Sequence, residues 1–514
     1  MKPDRQNLQL KIARLRRSSE AAWGRFDYGL GAELLQRAHR LSPHDPRLLL
    51  DLGFLCGLRY DYGRAAEFFE KAVRLAHGQT AAFAAAGGHC LNFSQPALAR
   101  GYFDRALKQN PDAVDILGPL AGICERLGQL DAAEEFATRA AGIAPGHKPA
   151  RLVQAMVLRR RQRLTEAETI LRQVAGQPDP DGWACARIWY ELGINLDGQA
   201  RYDEAMTAFL NAKKILLPVT QTSFVQHQSN LAQLLAEANA ITPERLQRFR
   251  ADRASLQPSR PIAFLAGHPR SGTTLLEQIL DSHEAVVSLE ETRIFDTDAY
   301  GPLAGGKSQS GRADWTDQIQ PMQLARARKN YFARADQFLG QPVGDRLLID
   351  KNPMFTIRFP VIAKIFPEAS FMVALRDPRD VCLSCFMQAL PPGTANLAFL
   401  ELGRTVEQYA RLMNFWLALR GRMAAPWIEV RYEDVVAGLE SSARRALEFL
   451  ELPWDERVLA FHEHAGKKNV RSPAYAEVGR PVYKTAQGRW RHYQKYLEPH
   501  LDRLEPFVKA FGYG

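Results

Sequence analysis

A short loop between two apolar segments has the composition of an anion-binding site. The apolar run at 261–266 has the length of a buried strand, and residues 275–280 have the spacing of a helix. Between them lies the phrase Gly267-His-Pro-Arg-Ser-Gly-Thr-Thr274. A glycine-bounded loop between a strand and a helix directs its N–H groups and the helix N-terminus at a bound anion. The sequence therefore predicts that this loop binds an anionic ligand.

The same loop departs from the Walker pattern of proteins that hydrolyse ATP or GTP. Gly267 and Gly272 match the pattern GxxxxGK[ST], but Thr273 stands where the pattern has its lysine. The cation of the loop is instead Arg270. This arrangement favours an anion other than a magnesium-bound triphosphate. A phosphotransferase or nucleotide hydrolase is therefore the less favoured alternative.

Five further phrases carry charged side chains near predicted strand ends or helix starts. Lys351 follows the apolar strand 347–349, and Arg376 follows the apolar strand 370–375. Ligands of open α/β sheets bind beyond the carboxyl ends of the strands, so both side chains are expected near the anion-binding loop. The phrases are Glu290-Glu-Thr-Arg293, Asp350-Lys-Asn-Pro353, Arg376-Asp-Pro-Arg-Asp-Val-Cys-Leu-Ser384, Arg431-Tyr-Glu-Asp434 and Arg480-Pro-Val-Tyr-Lys-Thr-Ala-Gln-Gly-Arg-Trp490.

The loop and the five phrases, in this order, resemble sulfotransferases and in particular tyrosylprotein sulfotransferases. The phrase around Arg270 is similar to the family's loop for the donor 5′-phosphosulfate, in the form with arginine. Arg376 and Ser384 are similar to its 3′-phosphate motif. The resemblance covers residues 258–514 and implies an α/β P-loop-like domain with a mostly parallel sheet. It also implies PAPS (3′-phosphoadenylyl sulfate) as co-substrate, PAP as product and no metal.

The resemblance also implies roles for individual residues. Glu291 is the expected base for the acceptor proton. Because adjacent residues of a strand or loop point apart, only one carboxylate is expected to face the sulfur, and a structural or N-cap role is expected for Glu290. Lys351 is expected at the bridging oxygen of the donor, and Arg270 at the 5′-phosphate and the transferring group. Arg293 would face the acceptor. The expected donor-binding residues are Arg270, Ser271, Gly272, Thr273, Thr274, Arg376, Ser384, Tyr432, Arg480 and Lys484.

Several of these residues also have plainer interpretations. The two glutamates could both be surface charges, and Lys351 and Arg379 could be surface residues. Trp490 could be a core residue rather than a partner for adenine. Asn352 stands where the tyrosylprotein enzymes have aspartate, so the acceptor does not follow from the resemblance. A protein or peptide tyrosine is the best single interpretation, and a carbohydrate or small-molecule hydroxyl is the alternative.

The first half of the chain has an internal period of 34 residues. Looser copies end at Val174 and Ala212. The pattern resembles the tetratricopeptide repeat (TPR), a helix-turn-helix unit that stacks into a solenoid. It predicts a lead at 1–20, an α-helical TPR solenoid of five or six repeats at 21–218, capping and linker helices at 219–257, and the sulfotransferase domain at 258–514. The alanines that define the period are Ala38, Ala72, Ala106 and Ala140.

Composition adds a few exclusions. The formal net charge of +10 favours anionic partners, but no basic tract with interleaved aromatics suggests nucleic acid. Cys382 and Cys385 form a CxxC without a second pair, so zinc is not expected. The N-terminus lacks the apolar stretch of a signal peptide, and no run reaches the ~20 apolar residues of a membrane span. A cytoplasmic protein is expected.

The function of the repeats is left open by the sequence. The concave face of such an array often binds peptides, so a peptide or protein acceptor is the expected partner. The alternatives are that the array only covers and orients the second domain, or that the chain is an interaction scaffold with an inactive domain. The combined pattern of repeats and motifs resembles bacterial-type TPR sulfotransferases.

Overall fold

The structure is a computed structural model that describes residues 2–177, 182–257, 259–305, 314–390, 393–468, 470–472, 475–483 and 485–514. The chain forms two compact units. One unit is Met1–Val153 with Ala333–Pro342, and the other is Gln154–Phe332 with Val343–Gly514. The second unit therefore contains the last repeats as well as the sheet. The limits expected at residues 218 and 258 remain predictions.

Consecutive helices form the first part of the chain. Ile12 of the first helix shares a buried cluster with Leu35 of the second, so helix pairing begins before residue 21. The helices are α1 Lys2–Gly24, α2 Tyr28–Leu41, α3 Pro46–Leu58, α4 Tyr62–Leu75, α5 Thr80–Asn92, α6 Pro96–Gln109, α7 Val114–Arg126, α8 Leu130–Ile143, α9 Lys148–Arg160, α10 Leu164–Ala175, α11 Gly182–Gly198 and α12 Tyr202–Asn239.

The turn between the two helices of each pair recurs with the sequence period. One residue in each turn has a left-handed backbone, with φ between 59° and 74°. Successive turn residues are 34 positions apart, except that the last interval is 38, which confirms the stretched final copy. The turn residues are Phe26, Tyr60, Ser94, Gly128, Gln162 and Ala200.

Close packing explains why small residues recur within the repeats. A Cβ atom on Gly53 would lie 2.5 Å from the ring of Phe69, and one on Gly193 would lie 2.5 Å from Phe209. In both pairs the phenylalanine comes 16 positions after the glycine, so the same contact recurs in different repeats. Any larger side chain would separate the two helices of the pair.

The helix α12 is longer than the sequence predicted. The capping helices were expected to begin at residue 219, but one continuous helix runs from Tyr202 through Pro218 to Asn239. Proline removes one backbone hydrogen bond from a helix interior. Three contacts tie α12 to later parts of the chain and hold it together: Lys213 Nζ donates to Phe399 O at 2.7 Å, His227 Nε2 lies 3.0 Å from Gln408 Oε1, and Trp315 Nε1 donates to Glu237 Oε1 at 2.8 Å.

The rest of the chain is built around a five-stranded sheet in which every neighbouring pair of strands is parallel. The strand order is β2-β3-β1-β4-β5, with β1 buried along its whole length. The predicted fold class, a TPR array followed by an α/β domain with a parallel sheet, is confirmed. The strands are β1 Ile262–Gly267, β2 Val286–Glu290, β3 Leu347–Lys351, β4 Ser370–Leu375 and β5 Trp427–Arg431.

The register of the sheet brings the ends of the strands together. Lys351, the last residue of β3, lies opposite both Leu265 of β1 and Glu290 of β2. Gly267, the last residue of β1, lies opposite Ala374 of β4. The residues that follow these ends therefore gather at one edge of the sheet.

Helices cover the sheet and connect its strands. Leu276 and Ile279 of the helix after β1 pack in one core cluster with Leu265. Within the described residues, no helix is apolar over a length sufficient to cross a membrane. The helices are α13 Pro243–Ala251, α14 Thr273–Asp281, α15 Gly301–Ala304, α16 Pro321–Leu339, α17 Phe359–Ile365, α18 Pro378–Met387, α19 Leu402–Arg420, α20 Tyr432–Ala437, α21 Leu439–Phe449, α22 Phe461–Lys467, α23 Tyr475–Val478, α24 Gln494–Leu497 and α25 Leu501–Ala510.

Candidate active site

The loop between β1 and α14 has the conformation of an anion-binding loop. Arg270 and Gly272 both have a left-handed backbone, with φ of 69° and 94°. The first N–H groups of α14 have no side-chain cap, because the residue before the helix is Gly272. The hydroxyl of Ser271 is buried without a hydrogen-bond partner. Uncapped N–H groups and an unpaired hydroxyl are the donors that the oxygens of a bound anion would satisfy.

Tyr432 closes one side of this loop. It follows β5 as the first residue of α20, and its Cδ2 lies only 2.9 Å from the position of a Cβ atom on Gly272. The loop therefore requires glycine at 272 for both its backbone conformation and its contact with the tyrosine ring.

Arg270, Arg376 and Ser384 are brought together by the sheet. Arg270 Nε donates to Ser384 Oγ at 3.1 Å, and Arg376 Nη1 donates to the carbonyl oxygen of Arg270 at 3.4 Å. The guanidinium of Arg376 lies 5.0 Å from the ring centroid of Tyr432. Arg376 is buried, and its Nε has no partner. Two arginines with donor capacity to spare make this corner suitable for binding a multiply charged anion.

The other end of the Arg376 guanidinium contacts a segment near the C-terminus. Arg376 Nη2 donates to the carbonyl oxygen of Ala486 and lies 3.9 Å from Asp380 Oδ2. Asp380 accepts hydrogen bonds from the backbone of Gly488 and Trp490, at 2.7 and 2.8 Å. The orientation of Arg376 thus depends on residues more than a hundred positions later in the chain.

Trp490 and Arg379 have structural contacts. The guanidinium of Arg379 lies 4.3 Å from the Trp490 ring centroid and is held by Asp377, whose Oδ2 is 2.7 Å from Arg379 Nη2. Arg379 Nη2 also donates to the carbonyl oxygen of Tyr513 at 3.0 Å. These contacts fit the plainer interpretation of Trp490 as a buried packing residue. Arg379, for which a surface position was the alternative, is only partly exposed and packs on Trp490.

Lys351 is the centre of a second cluster at the same sheet edge. Its Nζ donates to Glu291 Oε1 at 2.8 Å and lies 3.3 Å from Glu277 Oε2 and 3.7 Å from Glu290 Oε1. The side chain is fully buried. Burial alone would lower the pKa of Lys351, but the charges of Glu277, Glu291 and Glu290 raise it, so the lysine is a permanent cation. It is not the surface lysine of the alternative interpretation.

Glu291 leaves the end of β2 in a strained conformation. Its φ is +50°, which is rare for a residue with a side chain, and its N–H donates to Lys351 O at 2.8 Å. Its side chain remains 39% exposed. Burial would raise the pKa of Glu291, but the charge and hydrogen bond of Lys351 lower it, so the carboxylate is ionised. An exposed, ionised carboxylate beside a fixed cation can accept a proton from an incoming group.

Glu290 is buried, unlike the exposed Glu291. Its two carboxylate oxygens accept hydrogen bonds from the backbone N–H groups of Ser472 and Arg471, at 2.8 and 2.7 Å. The carboxylate therefore holds the loop that contains Ser472 against the site. Glu290 is the last residue of β2, whereas Glu291 follows it with a left-handed backbone, and this change of conformation accounts for the different positions of the two side chains.

A network of buried charges continues behind Lys351. Ser288 Oγ donates to Glu277 Oε1 at 2.8 Å and accepts from Lys468 Nζ at 2.9 Å. Lys468 in turn donates to Asp281 Oδ2 at 2.8 Å. Burial raises the pKa of Glu277 to about 7, against the opposing charge of Lys351. Sequence reasoning missed Glu277, because a single glutamate in the apolar helix α14 gives no motif.

The remaining predicted site residues differ in their burial. Thr273 and Thr274 are buried at the start of α14, and Thr274 Oγ1 donates to Ser472 Oγ at 3.1 Å and lies 3.5 Å from Lys351 Nζ. Ser472 is thus a member of the site that no sequence motif indicated. Arg293 and Arg480 are exposed. Lys484 lies outside the described residues.

Comparison with protein families agrees with this architecture. Residues 261–456 match the sulfotransferase family, and residues 91–148 match the tetratricopeptide repeat. The chain therefore contains a sulfotransferase-family domain and tetratricopeptide repeats, as the sequence motifs predicted.

Similar proteins cover parts of the chain. An uncharacterized protein of Aquifex aeolicus is 24% identical over 414 residues, 79% of this chain and 52% of that protein. Protein-tyrosine sulfotransferase A of Caenorhabditis elegans is 27% identical over 271 residues, 49% of this chain and 67% of that protein. Protein-tyrosine sulfotransferase 1 of Danio rerio is 28% identical over 240 residues, 45% of this chain and 65% of that protein. The chain thus spans about half the length of the first relative and about two thirds of the other two.

Among solved structures, the sulfotransferase domain from the Synechococcus PCC 7002 olefin synthase aligns with a TM-score of 0.34 and 22% sequence identity. The alignment covers 46% of this chain and 89% of that chain.

Proposed function

We propose that the sulfotransferase-family domain of this chain transfers a sulfuryl group from PAPS to a hydroxyl acceptor. The observation that carries the proposal is the joining of Arg270, Arg376 and Ser384 at the sheet edge that also holds Lys351 and Glu291. The first group suits the phosphates of a bisphosphorylated nucleotide. The second supplies a cation and a base beside it. A fold with only one of these groups would bind the donor or polarise an acceptor, but not both.

The proposed PAPS site is supported by buried hydrogen-bonding groups that have no partner, and not only by its cluster of arginines. Ser271 Oγ and Arg376 Nε are buried without partners, and the first turn of α14 is uncapped. Leaving such groups unpaired costs about 1–3 kcal/mol each, which a bound phosphate or sulfate would recover. In this proposal the loop and Thr273 and Thr274 hold the 5′-phosphosulfate, while Arg376 and Ser384 hold the 3′-phosphate.

The proposed reaction forms one sulfur–oxygen bond and breaks another. The acceptor oxygen attacks the sulfur, and its proton passes to Glu291. The bond from sulfur to the bridging oxygen breaks, and that oxygen becomes a terminal oxygen of the 5′-phosphate in PAP. As in phosphoryl transfer, catalysis depends mainly on positioning and on stabilising the charge that moves to the leaving oxygen. Lys351 and Arg270 supply that positive charge in this proposal.

The Lys351–Glu291 ion pair suits a late proton transfer. Because Lys351 lowers the pKa of Glu291, the carboxylate is a weak base towards a neutral hydroxyl. The acceptor proton becomes acidic only as the new bond to sulfur forms, so transfer to Glu291 would follow bond formation. Lys351 has three N–H donors and can serve the leaving oxygen while it keeps Glu291 in place.

A tyrosine of a peptide or protein is the acceptor we propose. Two of the relatives are named protein-tyrosine sulfotransferases, and a phenol with a pKa near 10 needs less help from a weak base than an alkyl hydroxyl does. The exposed Arg293, two positions after Glu291, would face this acceptor. The tetratricopeptide repeats would bind the peptide or protein that carries it. A carbohydrate or small-molecule hydroxyl is the alternative.

The test uses the full chain with ³⁵S-labelled PAPS and, separately, a tyrosine-containing peptide, an oligosaccharide and a simple phenol. We expect label in the peptide and release of one PAP for each sulfate transferred. The melting temperature should rise with PAP and not with ATP and magnesium, because a ligand raises apparent stability only if it binds the native state. A rise with ATP and magnesium alone would contradict the proposal. Label in the oligosaccharide alone would retain the donor chemistry and replace the acceptor.

A further inference from the structure

The segment 486–490 lies between the donor-binding corner and the last tetratricopeptide repeat. On one side, the Ala486 carbonyl accepts from Arg376, and the N–H groups of Gly488 and Trp490 donate to Asp380. On the other side, the side chain of Arg489 reaches Asp197, at the end of α11. All of these residues belong to the second compact unit.

Both carboxylate oxygens of Asp197 contact residues in or next to this segment. Its Oδ2 lies 2.6 Å from Arg489 Nη2, and its Oδ1 accepts from Arg489 Nε at 3.3 Å. Tyr493 OH donates to the same Oδ1 at 2.6 Å. Arg489 thus contacts both oxygens of the carboxylate, and this two-point geometry fixes the orientation of the two side chains as well as their separation. The side chains of Asp197 and Arg489 are 17% and 32% exposed, so the pair is partly shielded from solvent.

The surroundings of Asp197 make the attachment stiff. Tyr493 is fully buried, and the ring of Tyr202 from α12 packs edge-on against it with centroids 5.5 Å apart. The same Tyr202 ring stacks on His492 at 4.3 Å. Residues 489–493 form a 3-10 helix, and Gly488 immediately before it has a left-handed φ of 67° that turns the chain between Asp380 and Asp197. A shift of Arg489 would therefore also move Gly488 and the Ala486 carbonyl.

We propose that Asp197 is a positioning residue for the donor site: through Arg489 and Tyr493 it holds segment 486–490, and this segment holds Arg376 in its donor-binding orientation. The inference rests on the proposed PAPS-binding function. It gives the last repeat a part in nucleotide binding, in addition to any binding of a partner by the repeats. A repeat array that merely covered the sheet domain would need no such ion pair.

The test compares Asp197→Asn with Asp203→Asn in the full chain. Asp203 is a matched control, because it also joins the last repeat to the C-terminal region, through Lys495 at 2.7 Å and Tyr496 at 3.1 Å, yet its side chain is 66% exposed. We expect Asp197→Asn to raise the Kd for PAP and the KM for PAPS about tenfold, with kcat within about twofold. Asp203→Asn should leave Kd, KM and kcat unchanged.

A double variant separates positioning from general stability. If Asp197 acts through Arg376, Asp197→Asn should weaken PAP binding little further in an Arg376→Ala background, because coupled residues are not additive. Effects that multiply would mean that Asp197 acts elsewhere and would overturn the inference. If Asp197→Asn does not fold, Tyr493→Phe removes one hydrogen bond to Asp197 and keeps the ring. An unchanged Kd for PAP in either Asp197→Asn or Tyr493→Phe would contradict the inference.

The wild-type chain distinguishes failure of this inference from failure of the proposed function. If wild type does not bind PAP, the PAPS proposal and the inference both fail. If wild type binds PAP and Asp197→Asn binds it as tightly, only the inference fails.

Discussion

Lys351 Nζ lies 2.8 Å from Glu291 Oε1, although the two residues are 60 positions apart. Their meeting follows from the sheet, because β2 and β3 are parallel neighbours that end with Glu290 opposite Lys351. Lys351 is the last residue of β3 and also contacts Glu277. Glu291 follows the last residue of β2, and its N–H donates to the Lys351 carbonyl. The pair is therefore built into the sheet rather than carried on a long loop.

Replacing Glu291 with glutamine should separate chemistry from donor binding. Glutamine keeps the shape of the side chain but cannot take a proton, and general base catalysis contributes about 10²–10⁴-fold. We expect Glu291→Gln to lower kcat by at least about 100-fold while the Kd for PAP stays within about threefold. Single-turnover kinetics and calorimetry measure the two quantities. Glu440→Gln, at an exposed helix position, is the control, and a parallel loss of PAP binding would make Glu291 a donor-binding residue instead.

Replacing Arg376 with alanine should weaken donor binding selectively. Charge-assisted hydrogen bonds contribute about 1.5–3 kcal/mol, so the Kd for PAP should rise about 10- to 100-fold. Adenosine 5′-phosphosulfate, which lacks the 3′-phosphate, should lose much less affinity in the same variant. Equal losses for the two nucleotides would assign Arg376 to another part of the donor.

Replacing Gly272 with alanine should disrupt the anion-binding loop. The substitution combines a left-handed backbone with a methyl group 2.9 Å from the Tyr432 ring. Gly344→Ala is the matched control, because its φ is +64° but nothing lies within 4 Å of its Cβ position. The control should lose about 1–2 kcal/mol of unfolding free energy, the usual strain of a left-handed alanine. Gly272→Ala should lose more unfolding free energy than the control and bind PAP weakly. Equal losses in the two variants would mean that the Tyr432 ring moves aside at no cost in free energy.

The buried carboxyl of Glu277 should make stability depend on pH. Its pKa is 4.5 when solvated and about 7 in the fold, so the folded chain binds the proton more tightly than the unfolded chain. The resulting stabilisation is fully present below pH 4.5 and is lost as the pH rises through 7. The facing charges are Lys351, Glu290, Lys468 and Asp281.

Urea unfolding of wild type and Glu277→Gln at several pH values measures this contribution. Relative to the variant, wild type should lose unfolding free energy between pH 4.5 and 7. The difference between the two proteins should be steady below this range. A difference that is independent of pH throughout would show that Glu277 stays ionised, with Lys351 alone neutralising it.

Much of the fold was predictable because its signals are periodic or local. The 34-residue period follows from a left-handed turn that recurs in every repeat and from a glycine–aromatic contact that recurs in several of them, such as Gly53 with Phe69. The strand ends were visible because β1, β3 and β4 are buried on both faces and read as apolar runs. The position of Lys351 beside Glu291, in contrast, required the strand order, which no local pattern gives.

The rest of the site depends on contacts without a sequence signature. Ser472 enters the site because Glu290 binds its backbone N–H, and a lone serine in a loop carries no signal. Asp197 looks like any polar residue at the end of a repeat helix. The continuation of α12 through Pro218 opposes the local preference and is favoured by later contacts. These features arise from tertiary packing, which overrides local propensity.

The attachment of α12 to several later segments has a consequence for how this architecture can change in length. Lys213, His227 and Glu237 all lie on α12, and each makes a hydrogen bond to a different later segment of the chain. Each inserted or deleted residue would rotate everything beyond it by about 100° and slide it by about 1.5 Å, so an insertion between two fastenings would misalign one of them. A chimaera joined at residue 218, where the sequence suggested a boundary, would therefore interrupt the helix between its attachments at Lys213 and His227.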